Sequence, residues 1–370
     1  MAKWRAASYR PPIGTLTVVS RPPFGANDWP SLLGRLVGGG RLSSDEAAAV
    51  LRSVLAGEAT AAQVAAFVTA LRMRGESVEE MTGFVRSTLD AAEPLVVEGP
   101  LVDTCGTGGD GRRTINVSTV AAFVVAGAGA RVCKHGGRAA SSQAGSADVL
   151  EALGVVIDLG PSGVAHCIDL AGMGFCFAPR FHPAMRHAAP VRRELGITTV
   201  FNFLGPLANP ARARRQVLGV SDPAMGERMM GVLVANGTER AIVAWGDDGL
   251  DELSTTGPST VLHYDSREGS VRTCRVDPCS LGLAPATLEQ LRGQDAASNA
   301  AAARSVLAGD KGPHRDIVLL NAAAGMVVAD MASTLEEGLD LASRSLDEGH
   351  AATALERLIA CSHEAAPWGH

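Results

Sequence analysis

The chain changes style twice along its length. Residues 1–27 carry Pro-Pro pairs at 11/12 and 22/23 and no sustained helical period, which predicts a loose N-terminal extension. From Asp28 the apolar positions recur at helical spacing: Ala47, Val50, Leu51, Val54 and Leu55, then Val64, Phe67, Val68 and Leu71, then Met81, Phe84, Val85 and Leu89. Each run is preceded by a capping-box pair, Ser43 with Glu46, Thr60 with Gln63 and Ser77 with Glu80. Four short helices are expected. Their apolar faces must pack on one another, and a surplus stripe is either internal core or a surface for a second copy of the chain.

After Pro100 strands and helices alternate. Leu101–Asp103, Ala130–Lys134, Gly154–Leu159, Phe175–Ala178, Gln216–Val220 and Arg240–Trp245 read as short strands, and the alanine-rich run from Ala296 to Ala303 as a helix. This alternation predicts an α/β unit with a mainly parallel sheet and ligands beyond the carboxyl ends of the strands.

Composition narrows the classes of function. With 46% hydrophobic residues in 370, the chain can bury a sizeable core, and a net charge of −6 gives no basic excess for nucleic acid. The seven cysteines (105, 133, 167, 176, 274, 279 and 361) lack CxxC spacing, so free thiols in a reducing cytoplasm are expected. Val120–Ala130, the longest apolar stretch, is too short to cross a bilayer.

Three segments carry candidate chemistry. The first strand runs into Asp103-Thr104-Cys105-Gly106-Thr107-Gly108-Gly109-Asp110-Gly111, and a helix opens near Asn116-Val117-Ser118-Thr119. Exposed backbone N–H groups and a helix N-terminus suit a phosphate or pyrophosphate, although the spacing matches neither the dinucleotide fingerprint nor the P-loop. One strand later, Lys134-His135-Gly136-Gly137-Arg138-Ala139-Ala140-Ser141-Ser142 and Gly145-Ser146 place two cations and several hydroxyls on another glycine-rich turn, again suited to a polyanion. Finally, Gly246-Asp247-Asp248-Gly249-Leu250-Asp251-Glu252 gathers four carboxylates after a strand, which reads either as an acidic solvent-facing turn or as oxygen ligands for Mg²⁺ bridging to phosphate.

Together with FHPAMRHAAPVRRELG and GPLANPA, these motifs occur in the order found in anthranilate phosphoribosyltransferases, and the chain from about Asp28 onward resembles that family. The resemblance implies a small helical N-terminal domain (28–97, completed by helices around 182–197) and a larger α/β domain (98–370) of the nucleoside phosphorylase/phosphoribosyltransferase fold. It implies transfer of the phosphoribosyl group of PRPP to anthranilate in tryptophan biosynthesis, with two Mg²⁺ per active site, in a cytoplasmic homodimer joined through the helical domain.

Carried across by position, Gly106, Gly109, Asp110, Thr114, Asn116, Val117, Ser118 and Thr119 would surround PRPP, as would Lys134, His135, Gly136, Gly137, Arg138, Ala139, Ala140, Ser141, Ser142 and Ser146. Ser118, Asp251 and Glu252 would hold the metal. Arg192 would pair with the anthranilate carboxylate, with Pro179, His182, Gly106 and Gly137 lining the acceptor's entry. No residue is assigned as nucleophile or general base. The family usually has asparagine where this chain has Gly137, which predicts weaker acceptor binding, by on the order of 1–3 kcal/mol for one lost buried hydrogen bond. A phosphoribosyltransferase for a substituted aromatic amine, a pyrimidine nucleoside phosphorylase and a non-catalytic nucleic-acid-binding relative remain as alternatives.

Overall fold

Reciprocal caps start three of the four N-terminal helices, α1 (Trp29–Val37), α2 (Ser44–Leu55), α3 (Ala61–Arg74) and α4 (Val78–Asp90). At α2 the Ser43 hydroxyl accepts from the Glu46 N–H at 3.2 Å and the Glu46 carboxylate accepts from the Ser43 N–H at 2.9 Å. The apolar stripes meet through Trp29, Phe67 and Phe84, whose rings pack edge to face with centroids 6.0 and 5.8 Å apart. The computed structural model describes residues 28–139 and 144–368. The N-terminal extension and Ala140, Ser141 and Ser142 lie outside the described residues.

The rest of the chain builds a seven-stranded sheet: β1 (Val102–Gly106), β2 (Val132–Gly136), β3 (Met173–Phe177), β4 (Arg215–Gly219), β5 (Arg240–Gly246), β6 (Ser259–Asp265) and β7 (Ser270–Val276). Its order is β3-β2-β1-β4-β5-β6-β7, parallel as far as β5 and antiparallel beyond. The chain winds outward from β1 to β3 and then returns to the other side of β1, so β1 and β4 flank the switch point where ligands bind in open α/β sheets.

The helices that follow β1 and β2 are α5 (Val117–Gly127), α6 (Ser146–Leu153) and α7 (Pro161–Ala171). Then come a single turn α8 (Ala178–Phe181), α9 (Ala189–Leu195), α10 (Phe201–Leu207) and α11 (Pro223–Ala235). The C-terminal part supplies α12 (Ala296–Leu307), α13 (Pro313–Val328), α14 (Leu335–Asp347) and α15 (His350–Ala365). Strand alternation divides the core by sheet face. Val217 and Ile242 join the cluster of α5, α13 and α15, whereas Leu218 and Val243 join the cluster built from α1–α4, α10 and α11.

The expected strand Gly154–Leu159 does not form. Val155, Ile157 and Leu159 are buried alternately, as in a strand, but the segment joins α6 to α7 outside the sheet, and the Val156 N–H donates to the Ser362 hydroxyl of α15 at 3.0 Å. Left-handed Gly154 and the Gly160-Pro161 helix start confine it there. Conversely, the hairpin β6–β7 was not expected, although alternating residues flank a turn that ends at Gly269 (φ 66°).

Glu80 ties the bundle together. Fully buried, it accepts hydrogen bonds from the Leu42 and Ser77 N–H groups (2.8 and 2.9 Å) and from the Arg74 guanidinium (2.6 Å). Burial pushes its pKa up, but these donors outweigh burial and hold it below the ordinary value. A carboxylate with a depressed folded-state pKa contributes stability above its unfolded pKa, and that stability is lost as pH falls through the folded-state value. Glu80→Gln should therefore cost about 1–3 kcal/mol in urea unfolding at neutral pH. The gap between variant and wild type should narrow once acid protonates Glu80; a gap independent of pH would show that its charge is not what matters.

Candidate active site

Four neighbouring features converge at the carboxyl ends of the strands, and each depends on a missing side chain. β1, β2, β4 and β5 all end in glycine, at 106, 136, 219 and 246. A methyl group at Gly106 would overlap the Asp251 carboxylate, one at Gly219 the Asp251 carbonyl, one at Gly246 the Asp248 carboxylate and one at Gly136 the Ser146 hydroxyl. The segment after β5 therefore lies directly across the ends of β1 and β4, whose last residues pair, Gly106 with Gly219.

The four acidic residues of that segment divide by role. Asp247 forms an exposed ion pair with Arg275, and Asp248 accepts from the Ser254 hydroxyl (2.8 Å), the Leu250 N–H (3.0 Å) and the Thr256 hydroxyl, which shapes the turn. Asp251 and Glu252 instead turn into the glycine loop. The Gly108 N–H donates to Asp251 Oδ2 at 2.6 Å, and the Ser118 N–H at the start of α5 donates to Glu252 Oε1 at 3.2 Å. Burial, then Glu252 and Asp110 close by, push the Asp251 carboxyl well above its ordinary range. Burial likewise raises Glu252 to about 7, although Lys134 opposes it. Carboxylates crowded in a buried site ionise together only with a cation between them, and hard oxygen donors of this kind fit Mg²⁺.

The glycine loop leaves space opposite those acids. Gly108, Gly109 and Gly111 have φ of 68°, 79° and 68°, and nothing would meet a side chain on any of them, so the loop curls with its backbone bare. Arg113 shares the left-handed conformation (φ 58°) without being glycine, a strained position inside the same loop. Thr114 forms an isolated bridge with Arg292. Asn116 joins the two anion-type segments: its N–H donates to Asn299 Oδ1 at 3.1 Å and its side chain donates to the Ala144 carbonyl at 3.3 Å. Val117 and Thr119 are buried beneath the loop.

Lys134 is 2% exposed, and its ammonium donates to the Thr104 carbonyl and, at 3.3 Å, to the Ser118 hydroxyl. Burial lowers its pKa, while Asp103, Cys105 and Glu252 hold it up. Arg138 does otherwise: half exposed, it pairs with Asp148 and Glu151 of α6 and lies over the Phe177 ring, so an anion there would share it with two carboxylates. The Ala139 N–H also donates to Asp148, at 3.0 Å. Ser146 opens α6, and its hydroxyl donates to the Gly137 carbonyl at 3.4 Å.

Arg192, His135 and His182 gather around α10. Arg192 lies over the Phe201 ring, with its guanidinium carbon 5.7 Å from the ring centroid, and burial lowers its pKa. One turn along the same helix, the Gly205 carbonyl is 3.0 Å from His135 Nδ1, and the Ala208 carbonyl is 3.0 Å from His182 Nε2. The two imidazoles lie 5.0 Å apart. Burial and then the neighbouring His182 push His135 down to about 3, so its ring is neutral and its buried Nε2 has no protein partner. Pro179 is exposed on α8.

Sequence reasoning missed the residues that hold these groups in place. Fully buried Asp103 accepts from the His135 N–H (3.2 Å) and the Asn209 side chain (2.9 Å), and Asn209 also donates to the Cys133 carbonyl (2.8 Å). The GPLANPA motif contained Asn209, but its partner was not legible. Asn321 of α13 clamps the acidic segment: its Oδ1 accepts from the Leu253 N–H at 3.0 Å, and its Nδ2 donates to the Leu253 and Ile317 carbonyls, both at 2.9 Å. Nothing in the local sequence around residue 321 signals that role.

Replacing Asn321 with leucine of similar size strands the buried Leu253 N–H and carbonyl, at a cost of about 1–3 kcal/mol. Because Leu253 follows Glu252 directly, Asn321→Leu should also raise the Mg²⁺ concentration needed for half-maximal turnover. An unchanged Mg²⁺ dependence would mean that the acidic segment is held without this clamp.

Comparison with known proteins identifies the family of the chain. The model of the glycosyl transferase family α/β domain matches residues 98–352, and that of the helical bundle domain of the same family matches residues 30–92. An anthranilate phosphoribosyltransferase of Moorella thermoacetica is 53% identical over 329 residues, covering 89% of this chain and 96% of that protein. The crystal structure of the Thermus thermophilus anthranilate phosphoribosyltransferase superposes with a TM-score of 0.85 at 44% identity, covering 90% of this chain and 99% of that one. The Saccharomyces cerevisiae enzyme in complex with PRPP and Mg has a TM-score of 0.84 at 29% identity, covering 92% and 99%. The buried carboxylate pair beneath a bare glycine loop thus sits in a chain that belongs to the anthranilate phosphoribosyltransferase family.

Proposed function

We propose that the protein transfers the phosphoribosyl group of PRPP to the amine of anthranilate, releasing pyrophosphate and forming N-(5-phosphoribosyl)anthranilate for tryptophan biosynthesis. The observation that carries this reading is the placement of Asp251 and Glu252 against Gly108 and Ser118, which brings a metal-type carboxylate pair to the mouth of a phosphate-type loop. Asp251, Glu252 and Ser118 would hold Mg²⁺, two ions per site in this reading; Mg²⁺ when bound supplies charge neutralisation for the departing pyrophosphate.

This chain's own residues perform the rest. The glycine loop, open around Gly109 and Gly111, and the dipole at the α5 N-terminus would orient the pyrophosphate, and buried Lys134 adds a fixed positive charge behind Ser118. Arg192 presents its planar fork to the acceptor carboxylate, a task its stacking on Phe201 prepares by fixing the guanidinium plane. The bond from C1′ to the pyrophosphate oxygen breaks as the amine nitrogen bonds to C1′, and the amine then gives up a proton. No covalent protein nucleophile is needed, and burial pushes the Cys105 thiol well above its ordinary pKa, which suits a packing role. With a pKa of about 3, His135 is a hydrogen-bond acceptor at Nε2 and a poor carrier of that proton.

The division into helical and α/β domains near residues 97 and 98 belongs to the same reading, with pairing of two copies through the helical domain. Val37 and Met73, 80% and 85% exposed at the ends of α1 and α3, would each contribute an apolar side chain to that pairing. Seven free thiols suit a cytoplasmic enzyme, and among the described residues no helix is long and apolar enough to cross a membrane.

In an assay with PRPP and Mg²⁺, anthranilate fluorescence should fall with time, and EDTA should stop the fall. Asp251→Asn combined with Glu252→Gln should lower kcat/KM by at least about a hundredfold, since an ion central to charge stabilisation is worth several kcal/mol. Undiminished Mg²⁺-dependent turnover in that double variant would refute the assigned metal site. A second expectation concerns Gly137, where an added Cβ meets only the Ala178 methyl, at 3.8 Å. Gly137→Asn should fold normally and lower the KM for anthranilate with little change in kcat. If it instead impairs anthranilate use while the wild type prefers ring-substituted analogues, the acceptor is a substituted aromatic amine.

A further inference from the structure

The C-terminal helix carries donor atoms that the transfer reaction does not use. His166 lies on α7, and Cys361 and Glu364 lie one turn apart on α15, the helix packed against it. One ligand atom from each of the three side chains falls within 4.8 Å of the others. His166 Nε2 is buried and has no hydrogen-bond partner, although Glu364 Oε2 is 3.5 Å away. That separation suits a different purpose, because two ligand atoms at tetrahedral corners around Zn²⁺, one nitrogen and one oxygen, lie roughly 3.4 Å apart.

We propose that His166, Cys361 and Glu364 form a Zn²⁺ site that fastens the C-terminal helix to α7. The donor set is imidazole, thiolate and carboxylate, a borderline-soft combination that selects Zn²⁺ over the hard Mg²⁺ expected at Asp251 and Glu252. Burial is graded across it: Cys361 is 6% exposed, the His166 side chain 25% and the Glu364 side chain 65%. The ion would thus sit at the rim of the helix pair, with water at its fourth corner and exposed Glu364 free to move inward onto it. The Trp368 ring packs edge-on against His166 with centroids 4.6 Å apart, covering the outer side of the imidazole. Binding displaces the Cys361 thiol proton to solvent, so it strengthens as pH rises. Because α15 also packs on α5, the ion would brace the helix that opens from the glycine loop.

The test uses the full chain, without an added histidine tag, freed of metal by EDTA dialysis and titrated with Co²⁺. A thiolate-to-cobalt charge-transfer band should appear, saturate at a single equivalent, vanish on adding Zn²⁺ and survive excess Mg²⁺. Zn²⁺ should raise the Tm of the metal-free chain. His166→Gln and Cys361→Ser should each lose both the band and the Tm shift, and His166→Gln should keep wild-type Mg²⁺-dependent turnover. His166, a quarter exposed against 6% for Cys361, makes its variant the decisive one if Cys361→Ser folds poorly. Absence of the band from the wild type, or its persistence in His166→Gln, would overturn the proposal.

Discussion

The site rests on one close approach, that of the Asp251 backbone to the ends of β1 and β4. The Asp251 carbonyl occupies the place where a Gly219 side chain would stand, and its carboxylate the place of a Gly106 side chain. Any Cβ at either position forces the acidic segment off the sheet, and with it the Gly108 contact at 2.6 Å that joins acid and phosphate loop. The parallel register between β1 and β4 brings the two glycines opposite each other, so sheet topology and site assembly are the same constraint. Asn321 then secures the segment from the other side by satisfying Leu253 in both directions.

Electrostatics distinguishes the two carboxyls of the pair. Lys134 donates to the Thr104 carbonyl and the Ser118 hydroxyl, placing a buried positive charge between Asp103 on one side and Glu252 on the other. Its attraction keeps Glu252 near a pKa of about 7, while Asp251, with no such neighbour among its main influences, is pushed well above the usual range. Burial and crowding thus favour the protonated form of both carboxyls, Asp251 more than Glu252. The pair is preorganised in geometry, and a divalent ion bound there as proposed would displace protons.

Legibility in the sequence followed the range of the interaction. Capping boxes are contacts over three residues, and all three formed as read; the glycine loop and the helix after it are local as well. Gly154–Leu159 shows the limit of periodicity: alternating burial was real, but whether a neighbouring strand or the Ser362 hydroxyl satisfies the Val156 N–H depends on residues two hundred positions away. The four acids after β5 looked equivalent as a string. Only the fold separates Asp248, engaged by Ser254 and Thr256, from Asp251 and Glu252, engaged by the glycine loop. Asn209 and Asn321 were silent for the same reason, since an asparagine declares its role through partners distant in sequence.

The same geometry separates the invariable part of the second anion segment from the part free to change. Gly136 cannot carry a side chain because Ser146 stands against it, and a methyl at Gly145 would lie 2.5 Å from both the Ala139 nitrogen and the Gly137 carbonyl. Gly137, between them, faces only Ala178 at ordinary contact distance and has no left-handed backbone requirement. Its identity is thus not imposed by the turn. Changing it alters what lies beside His135 and Ala178 without shifting the strand ends, the acidic segment or Lys134. In the proposed reaction, acceptor recognition would drift at this position while the pyrophosphate half stays fixed, since the steric constraints pass through Gly106, Gly136 and Gly219.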